Sequence, residues 1–337
     1  MRIKLLVEKN MQYFIKAIKM FSKDIKINII DVGAMGGLSK IWGPIESIIN
    51  AIGFEPDPIE FEKLKEDKNV KYYNYALYSE SKNLEFNIAR GGGKSSLLIP
   101  NEKFLEKYSD YNNYVVEEKK PIPKIFVKTL DELVKQNEKL DPDFIKLDTQ
   151  GSELEILRGS EKVLTEKVCG CLIEISFVET YKNQPLFREI DSFMEQKGFN
   201  LFDIKRYYWK KDILYNYRGK GQLIMGDALY FKKYEEIKHW SFEKVLRFIT
   251  LLYYFGYYDY AIEIVKNFIL RHNSDLNNYN ALEKIIISDY LKGNKIFDFK
   301  GSSIIYRLAR FFTTKLSKSG EGRYDSDLYI GNRIDQQ

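Results

Sequence analysis

Two carboxylates in the middle of the chain end or interrupt short apolar runs. Asp148 follows the run that ends at Leu147, and Glu174 lies within the apolar run 168–177. A carboxylate buried in a strand is costly unless it is paired or bound to a ligand. Two carboxylates on adjacent strands can act as a general base pair or as oxygen ligands for Mg²⁺. We predict that Asp148 and Glu174 are catalytic. The alternative for Glu174 is a salt bridge to a neighbouring lysine or arginine.

A glycine cluster follows an acid near the start of the chain, in the sequence Asp31-Val32-Gly33-Ala34-Met35-Gly36-Gly37. The spacing differs from G-x-G-x-x-G, and an acid directly before the first glycine would repel a pyrophosphate. A carboxylate there suits the ammonium group of S-adenosylmethionine (SAM). The alternative is a glycine turn with only a structural role. The residues predicted to contact SAM here are Asp31, Gly33, Ala34 and Gly37.

A second acid, Glu55, ends the next short apolar run and is predicted to bind ribose hydroxyls. Asp57 precedes a proline and stands three residues before Glu60, which is a helix-start signal, so Asp57 is also a candidate N-cap. The run 70–77 is predicted to be a strand whose end carries the adenine. The further residues predicted to contact SAM are Glu55, Pro56, Asp57, Asn74, Ala76, Leu77 and Asp148.

These residues need a parallel α/β sheet to position them, because ligands bind where parallel strands end. Apolar runs and turn signals alternate along the chain in the order that such a sheet requires. Ser152 and Glu155 are predicted to form a capping box. Strands are predicted at 85–89 and 96–99, on either side of a glycine-rich loop (91–93). The further predicted elements are a crossover helix (38–50), a lid (101–120), a strand (125–128), a helix (185–197) and a final strand pair (199–208, 222–231).

The composition excludes several classes of protein. The chain has 337 residues with 53 basic and 48 acidic side chains, a mild excess that does not indicate nucleic acid. Cys169 and Cys171 are the only cysteines, so reduced core thiols are expected rather than a disulfide framework. Neither a signal peptide nor a run of about 20 uncharged apolar residues is present, so we expect a cytoplasmic protein.

Both ends of the chain differ from the middle. Residues 1–24 have the spacing of an amphipathic helix, and residues 234–318 are predicted to form a helical appendage after a domain spanning 25–233. The segment 299–320 is basic and amphipathic, which suits either a docked helix or peripheral contact with the inner face of a membrane. Residues 319–337 are expected to be disordered. A homo-oligomer is left open.

Several of these motifs together resemble the FkbM-type SAM-dependent methyltransferases over about residues 27–233. Met35 departs from that family, which often carries asparagine there. The resemblance implies a Rossmann-like fold with a seven-stranded, mostly parallel sheet and an antiparallel terminal strand, SAM as methyl donor and an oxygen acceptor, often a sugar hydroxyl. The motifs that carry it are Asp31–Ala34, Phe54–Pro56, Thr129–Asp131, Ile145–Asp148 with Gly151 and Glu153, Leu157–Gly159, Glu174 and Gly226–Ala228.

A sugar hydroxyl is a poor nucleophile near neutral pH, so its methylation requires a base or a metal. Only His239 and His272 could supply imidazole, and both lie in the predicted helical region, so the carboxylates are the better candidates. We predict an O-methyltransferase acting on a sugar, glycan or glycolipid precursor, with Mg²⁺ held by Asp148 and Glu174 as an option. The alternative is a non-catalytic scaffold that uses the same fold and a helical partner surface.

Overall fold

A seven-stranded sheet in the order β3-β2-β1-β7-β8-β10-β9 organises the structure. The computed structural model describes residues 11–66, 68–117, 124–137, 140–214, 221–269 and 276–294. Its strands are β1 (Ile27–Val32), β2 (Ile49–Phe54), β3 (Val70–Tyr73), β7 (Phe144–Leu147), β8 (Gly170–Ser176), β9 (Phe199–Trp209) and β10 (Gln222–Lys232). Among the described strands of this sheet, only β10 runs antiparallel to the others. This strand is last in the chain but lies between β8 and β9 in the sheet.

A smaller sheet and several short helices surround the larger sheet. The small sheet contains β4 (Ala76–Leu77), β5 (Lys82–Glu85) and β6 (Lys124–Lys128), in the order β4-β6-β5. The helices are α1 (residues 11–18), α2 (Pro58–Phe61), α3 (Glu102–Leu105), α4 (Tyr111–Tyr114), α5 (Leu130–Gln136), α6 (Glu153–Arg158), α7 (Glu161–Glu166), α8 (Phe187–Gln196), α9 (Phe242–Tyr254), α10 (Tyr258–Ile269) and α11 (Leu276–Asn294). In the parts of the chain that the structure describes, no helix is long and apolar enough to cross a membrane.

Successive residues of the central strands face two separate cores, as the pleat of a strand requires. Ile30 and Val32 of β1 face the helices α5 to α8, whereas Ile29 faces the opposite side. The free cysteines divide in the same way, with Cys169 buried in one core and Cys171 in the other. The sheet is therefore covered on both faces.

Helix α9 provides much of the cover on the second face. Phe255, which follows it, stacks on Phe144 of β7 with ring centroids 5.6 Å apart. Helix α1 lies against the same helix, and Phe14 stacks on Tyr253 at 3.7 Å. The division of the chain at residue 234 stays a prediction, but the described part of the predicted appendage shares its core with the sheet.

A buried ion pair fixes α9 to the lower edge of the sheet, where the parallel strands begin. Lys244 Nζ lies 2.7 Å from Asp143 Oδ1, and the other oxygen of Asp143 accepts the backbone N–H of Asn28 at 2.8 Å. Arg247 reaches Asp141 at 3.2 Å. Because Asp143 is fully buried, its charge depends on these partners.

Several predicted elements differ from the structure. In place of the strands expected at 85–89 and 96–99, β5 ends at Glu85 and an isolated bridge joins Asn87 to Ser96. The stretch 38–50 was expected to be a crossover helix, but it forms a 3₁₀ helix at Lys40–Ile48 that contains Pro44, and β2 begins at once. Proline removes a backbone donor and disfavours a regular α-helix at that point. The single strand expected at 70–77 is two strands, β3 and β4, which belong to different sheets. The segments 299–320 and 319–337 lie outside the described residues.

Candidate active site

The two predicted catalytic carboxylates lie at the carboxyl edge of the sheet, where β7 and β8 end. Asp148 directly follows β7, and its backbone N–H donates to Val32 O at the end of β1. Its side chain is 46% exposed. Glu174 lies near the end of β8 and is partly buried. The fold therefore places both carboxylates at the edge where ligands bind in parallel sheets.

The glycine turn after β1 lies directly against Asp148. Gly33 has a φ of +81°, and a Cβ added to it would lie 1.9 Å from the carbonyl oxygen of Asp148. The backbone N–H groups of Gly33 and Ala34 both donate to Phe54 O, which joins this turn to the end of β2. Only glycine permits this approach of the two chain segments.

A row of charged side chains crosses one face of the sheet near its carboxyl edge. Asp31 pairs in register with Lys146, Asp227 with Glu174, and Lys205 with Asp227. Lys146 Nζ lies 3.2 Å from Asp31 Oδ1 and 3.6 Å from Asp148 Oδ2. Burial lowers the pKa of Lys146, but the two carboxylates outweigh it and the pKa lies above its ordinary value. Lys146 is therefore charged and holds both acids.

Asp31 was predicted to hold the ammonium group of the cofactor. In the structure it is 1% exposed, and its carboxylate is engaged by Lys146 and by the backbone N–H of Ser39 at 3.4 Å. Burial raises its pKa, while Lys146 opposes the shift. The position of Asp31 fits the orientation of Lys146 better than direct contact with a ligand.

Gln150 connects the two candidate catalytic residues, a role that was not predicted from the sequence. Its side-chain nitrogen donates to Asp148 Oδ1 at 3.2 Å and to Glu174 Oε2 at 2.9 Å. Burial raises the pKa of Glu174 well above its ordinary range, and the nearby charges of Asp148 and Glu153 raise it further. Among the described residues Glu174 has no ion pair, so the salt bridge considered as its alternative is not formed.

The carboxylate of Glu153 shapes the turn between Asp148 and α6. It accepts the backbone N–H of Thr149 at 2.8 Å and that of Gly151 at 3.0 Å. The capping box predicted from Ser152 and Glu155 is absent: Ser152 donates to the Thr149 hydroxyl, and Glu155 accepts from Ser79. The prediction was wrong because both side chains of the expected box are engaged outside the first turn of α6, Ser152 with Thr149 and Glu155 with Ser79.

A cavity of about 420 Å³ opens onto this charged row. Asp227 lines it and accepts a hydrogen bond from the Tyr207 hydroxyl at 2.6 Å, and burial raises the pKa of Asp227. The cavity brings together Asp148, Glu174, Asp227, Lys94, Lys146, Lys205, Tyr207 and Trp209. Asp227 was not predicted to be a site residue, although it lies in the motif Gly226–Ala228. It is on the same face of β10 as the core residue Leu229, and a charged residue at such a position is the sequence signal that could have drawn attention to it.

Aromatic residues of the predicted lid pack beside this cavity. Trp209 contacts Tyr108 at 5.6 Å and Tyr114 at 5.9 Å, measured between ring centroids. Lys94, at the end of the glycine-rich loop, lies 5.1 Å from the Tyr114 ring, and its carbonyl accepts the Tyr181 hydroxyl. The segment 101–117 therefore adjoins the site as an ordered part of the fold.

The predicted nucleoside contacts form a second group around the end of β2. Glu55 is buried and accepts the backbone N–H of Asp57 at 2.9 Å, and burial raises its pKa to about 7. Asp57 caps α2 by accepting the N–H groups of Ile59 and Glu60. The Asn74 amide donates to the carbonyl oxygens of Glu55 and Pro56.

The remaining predicted contacts are less suited to ligand binding. Ala76 and Leu77 form β4 of the small sheet, and Leu77 is packed in the core. Gly37 has a φ of +93° in the turn after β1, and Met35 in that turn is 45% exposed. A Cβ at Gly92 would lie 3.5 Å from Met35 Sδ, so the glycine-rich loop covers this turn.

The donor set does not favour the predicted Mg²⁺ site. Within the described ranges, no group of three or more His, Cys, Asp or Glu residues is arranged to hold a metal ion. An amide donor from Gln150 also points at both Asp148 and Glu174, and a cation would need that position. Asp148 and Glu174 alone would leave most of the coordination shell to water.

The strand order, the single antiparallel strand and the glycine turn against Asp148 define a Rossmann-like fold of the methyltransferase class. A model of the methyltransferase FkbM domain matches residues 31–201, half of the chain. The chain therefore belongs to the FkbM methyltransferase family, as its motifs predicted.

Solved structures with similar folds include other methyltransferases. The FkbM methyltransferase from Methylobacillus flagellatus KT is 15% identical over 62% of this chain, with a TM-score of 0.36, and the chain spans 44% of that protein. Magnesium protoporphyrin IX methyltransferase from Synechocystis PCC 6803, solved with SAM, is 8% identical over 67% of this chain and 79% of its own, with a TM-score of 0.32. The comparison with curated proteins gave no match. Because these scores are low, the fold assignment rests on the strand order itself.

Proposed function

We propose that the chain transfers the methyl group of SAM to a hydroxyl of a sugar, glycan or glycolipid precursor. The observation that carries this proposal is the convergence of Asp148 and Glu174 on one cavity beside the glycine turn at Gly33. The family supplies the reaction class, methyl transfer. The hydroxyl acceptor follows from the chemistry of the two carboxylates.

Residues at the ends of β1 and β2 suit SAM. Gly33 brings the first turn against Asp148, and the space beside Gly36 is open, since a Cβ there would meet nothing within 4 Å. Glu55 is a buried carboxyl group beside this turn, and hydroxyl donors from a ribose would stabilise its charged form. When bound, SAM supplies an electrophilic methyl group on a sulfonium.

The carboxylates supply the proton acceptor that a hydroxyl requires. Asp148 is exposed to the cavity and is held by Lys146 and Gln150, so it is the general base in this proposal. Burial raises the pKa of Glu174 well above its ordinary value, which favours the protonated form that can donate a hydrogen bond to the acceptor or to Asp148.

Calorimetry with SAM and with S-adenosylhomocysteine tests the first half of the proposal. We expect Glu55→Ala to weaken binding at least tenfold, and Glu62→Ala, which removes an exposed carboxylate next to α2, to leave it unchanged. Undiminished affinity in Glu55→Ala would remove Glu55 from the site.

Methyl transfer from labelled SAM to a panel of sugars and glycans tests the second half. Asp148→Asn should lose turnover while retaining SAM affinity and thermal stability, and exposed Asp212→Asn is the control. Absence of SAM binding, together with a stable protein complex formed through α9 to α11, would favour the scaffold instead.

A further inference from the structure

Gln150 has an unusual backbone conformation for its residue type. Its φ is +57°, and Asn183 is the other non-glycine residue with a positive φ among the described residues. A left-handed conformation disfavours a side chain with a Cβ, and such strain persists only where surrounding contacts maintain it. In this family of folds the turn after β7 could have used glycine or asparagine at lower cost.

The contacts that maintain this conformation come from both the backbone and the side chain. The Ser96 hydroxyl donates to Gln150 O at 2.8 Å, and Glu153 accepts the N–H groups on either side of Gln150. The Tyr181 hydroxyl lies 3.2 Å from Gln150 Oε1. With Oε1 facing Tyr181, the amide nitrogen faces Asp148 and Glu174.

We propose that Gln150 is a positioning residue whose side-chain amide joins Asp148 and Glu174 into one pair and aims Asp148 at the acceptor hydroxyl. The inference rests on the proposed function. An amide is suited to this task because its nitrogen carries two N–H donors, one for each carboxylate. A carboxylate at this position would add repulsion, and an apolar side chain would leave Asp148 with Lys146 alone and would remove the amide donor from Glu174.

Removing the amide has a defined electrostatic consequence. A hydrogen bond to a carboxylate stabilises its charged form, so the loss of the Gln150 donor raises the pKa of Glu174 further. Titratable or charged groups face Glu174 from every neighbouring element, and all of them stay in place in a Gln150 variant. They are Asp148 after β7, Glu153 of α6, Lys94 of the glycine-rich loop, Tyr114 of α4, Tyr181 after β8, Tyr207 of β9 and Asp227 of β10.

Gln150→Asn is the variant that best separates the role of the side-chain amide from that of the turn. Asparagine accepts a positive φ better than glutamine does, so the turn is retained, but its side chain is one methylene shorter and cannot span both carboxylates. We expect an unchanged thermal midpoint, SAM affinity within twofold of the parent and a kcat at least tenfold lower. Asn183→Gly, which alters the other strained position, is the control and should leave kcat unchanged.

A titration without substrate keeps the proposal independent of the reaction. Carbon-13 NMR of the labelled glutamate carboxyl groups, with the Glu174 signal assigned by its loss in Glu174→Gln, should show a higher pKa for Glu174 in Gln150→Asn. An unchanged titration of Glu174 or an unchanged kcat would overturn the positioning role. An upward shift in a protein that fails to bind SAM would retain the pairing and reject the methyltransferase proposal.

Discussion

Gly33 and Asp148 are in backbone contact, so the glycine turn after β1 and the end of β7 form one unit. A Cβ at Gly33 would lie 1.9 Å from Asp148 O, which is far closer than any real contact. The position of the proposed base is therefore set by the first turn of the sheet as well as by its own strand. This coupling makes a substitution at Gly33 a test of the whole site.

We expect Gly33→Ala to lower the free energy of unfolding by about 3 kcal/mol or more, because it combines a positive φ with a backbone clash. Gly36→Ala is a matched control. Gly36 has a φ of +76° but open space around it, so this change should cost only about 1 kcal/mol. Urea denaturation of both variants measures the difference. Equal costs would show that the two segments can separate.

Lys146→Met should destabilise the protein by about 3 kcal/mol at pH 7, because it leaves the buried Asp31 without its cation. The loss should be smaller near pH 5, where Asp31 can take up a proton. Adding Asp31→Asn should restore part of the stability, and exposed Lys63→Met should have little effect. Denaturation curves at both pH values test this. If the destabilisation in the double variant equalled the sum of the two single effects, the interaction between Lys146 and Asp31 would be ruled out.

Glu55 predicts a pH dependence of stability before any ligand binds. Its pKa is raised from 4.5 to about 7 by burial, so between those values the folded state binds more protons than the unfolded state. Stability from this group is complete below pH 4.5 and is lost as the pH rises through 7. The parent should therefore lose about 2–3 kcal/mol relative to Glu55→Gln between pH 4.5 and 8. If the free energies of unfolding of the parent and of Glu55→Gln changed equally with pH, the raised pKa of Glu55 would be contradicted.

Lys244→Met tests the attachment of α9 to the sheet. Asp143 is fully buried, and without Lys244 it retains Arg247 and the Asn28 N–H as partners, so we expect a loss of about 3 kcal/mol. Exposed Lys238→Met is the control. If α9 were an independent appendage, the main unfolding transition would not move. A shift of that transition in a calorimetric scan would confirm that helix and sheet unfold together.

The motifs and the family that they resemble were sufficient for the seven-stranded, mostly parallel sheet, but not for its strand order. Apolar runs also drew attention to Asp148 and Glu174, which the structure places at the carboxyl edge of that sheet. Lys146 and Asp227 are also charged residues within apolar strands. Neither can be recognised as a site residue from the sequence, because their roles depend on the side chains of neighbouring strands. Gln150 could not be predicted, because its role depends on a positive φ and on contacts from Ser96, Tyr181 and two carboxylates. These interactions lie far apart in the chain.

The use of α9 as cover for the sheet could not be predicted either. Its amphipathic pattern shows that one face is buried but not against what. The 3₁₀ helix at Lys40–Ile48 and the four-residue α2 cover only part of the sheet face that α9 packs against. The regular crossover helix predicted at 38–50 would have covered more of that face, so the sequence did not indicate a need for α9.

The packing of α9 also limits how this chain can be divided. A protein cut after residue 233 would keep the whole family match yet expose Trp42, Phe144 and Phe231, which now lie under α9 and the residues after it. An aromatic surface of that kind promotes aggregation. A recombinant fragment for binding or transfer assays should therefore retain α9 and α10, and an exchange of catalytic domains between relatives should carry these helices with it.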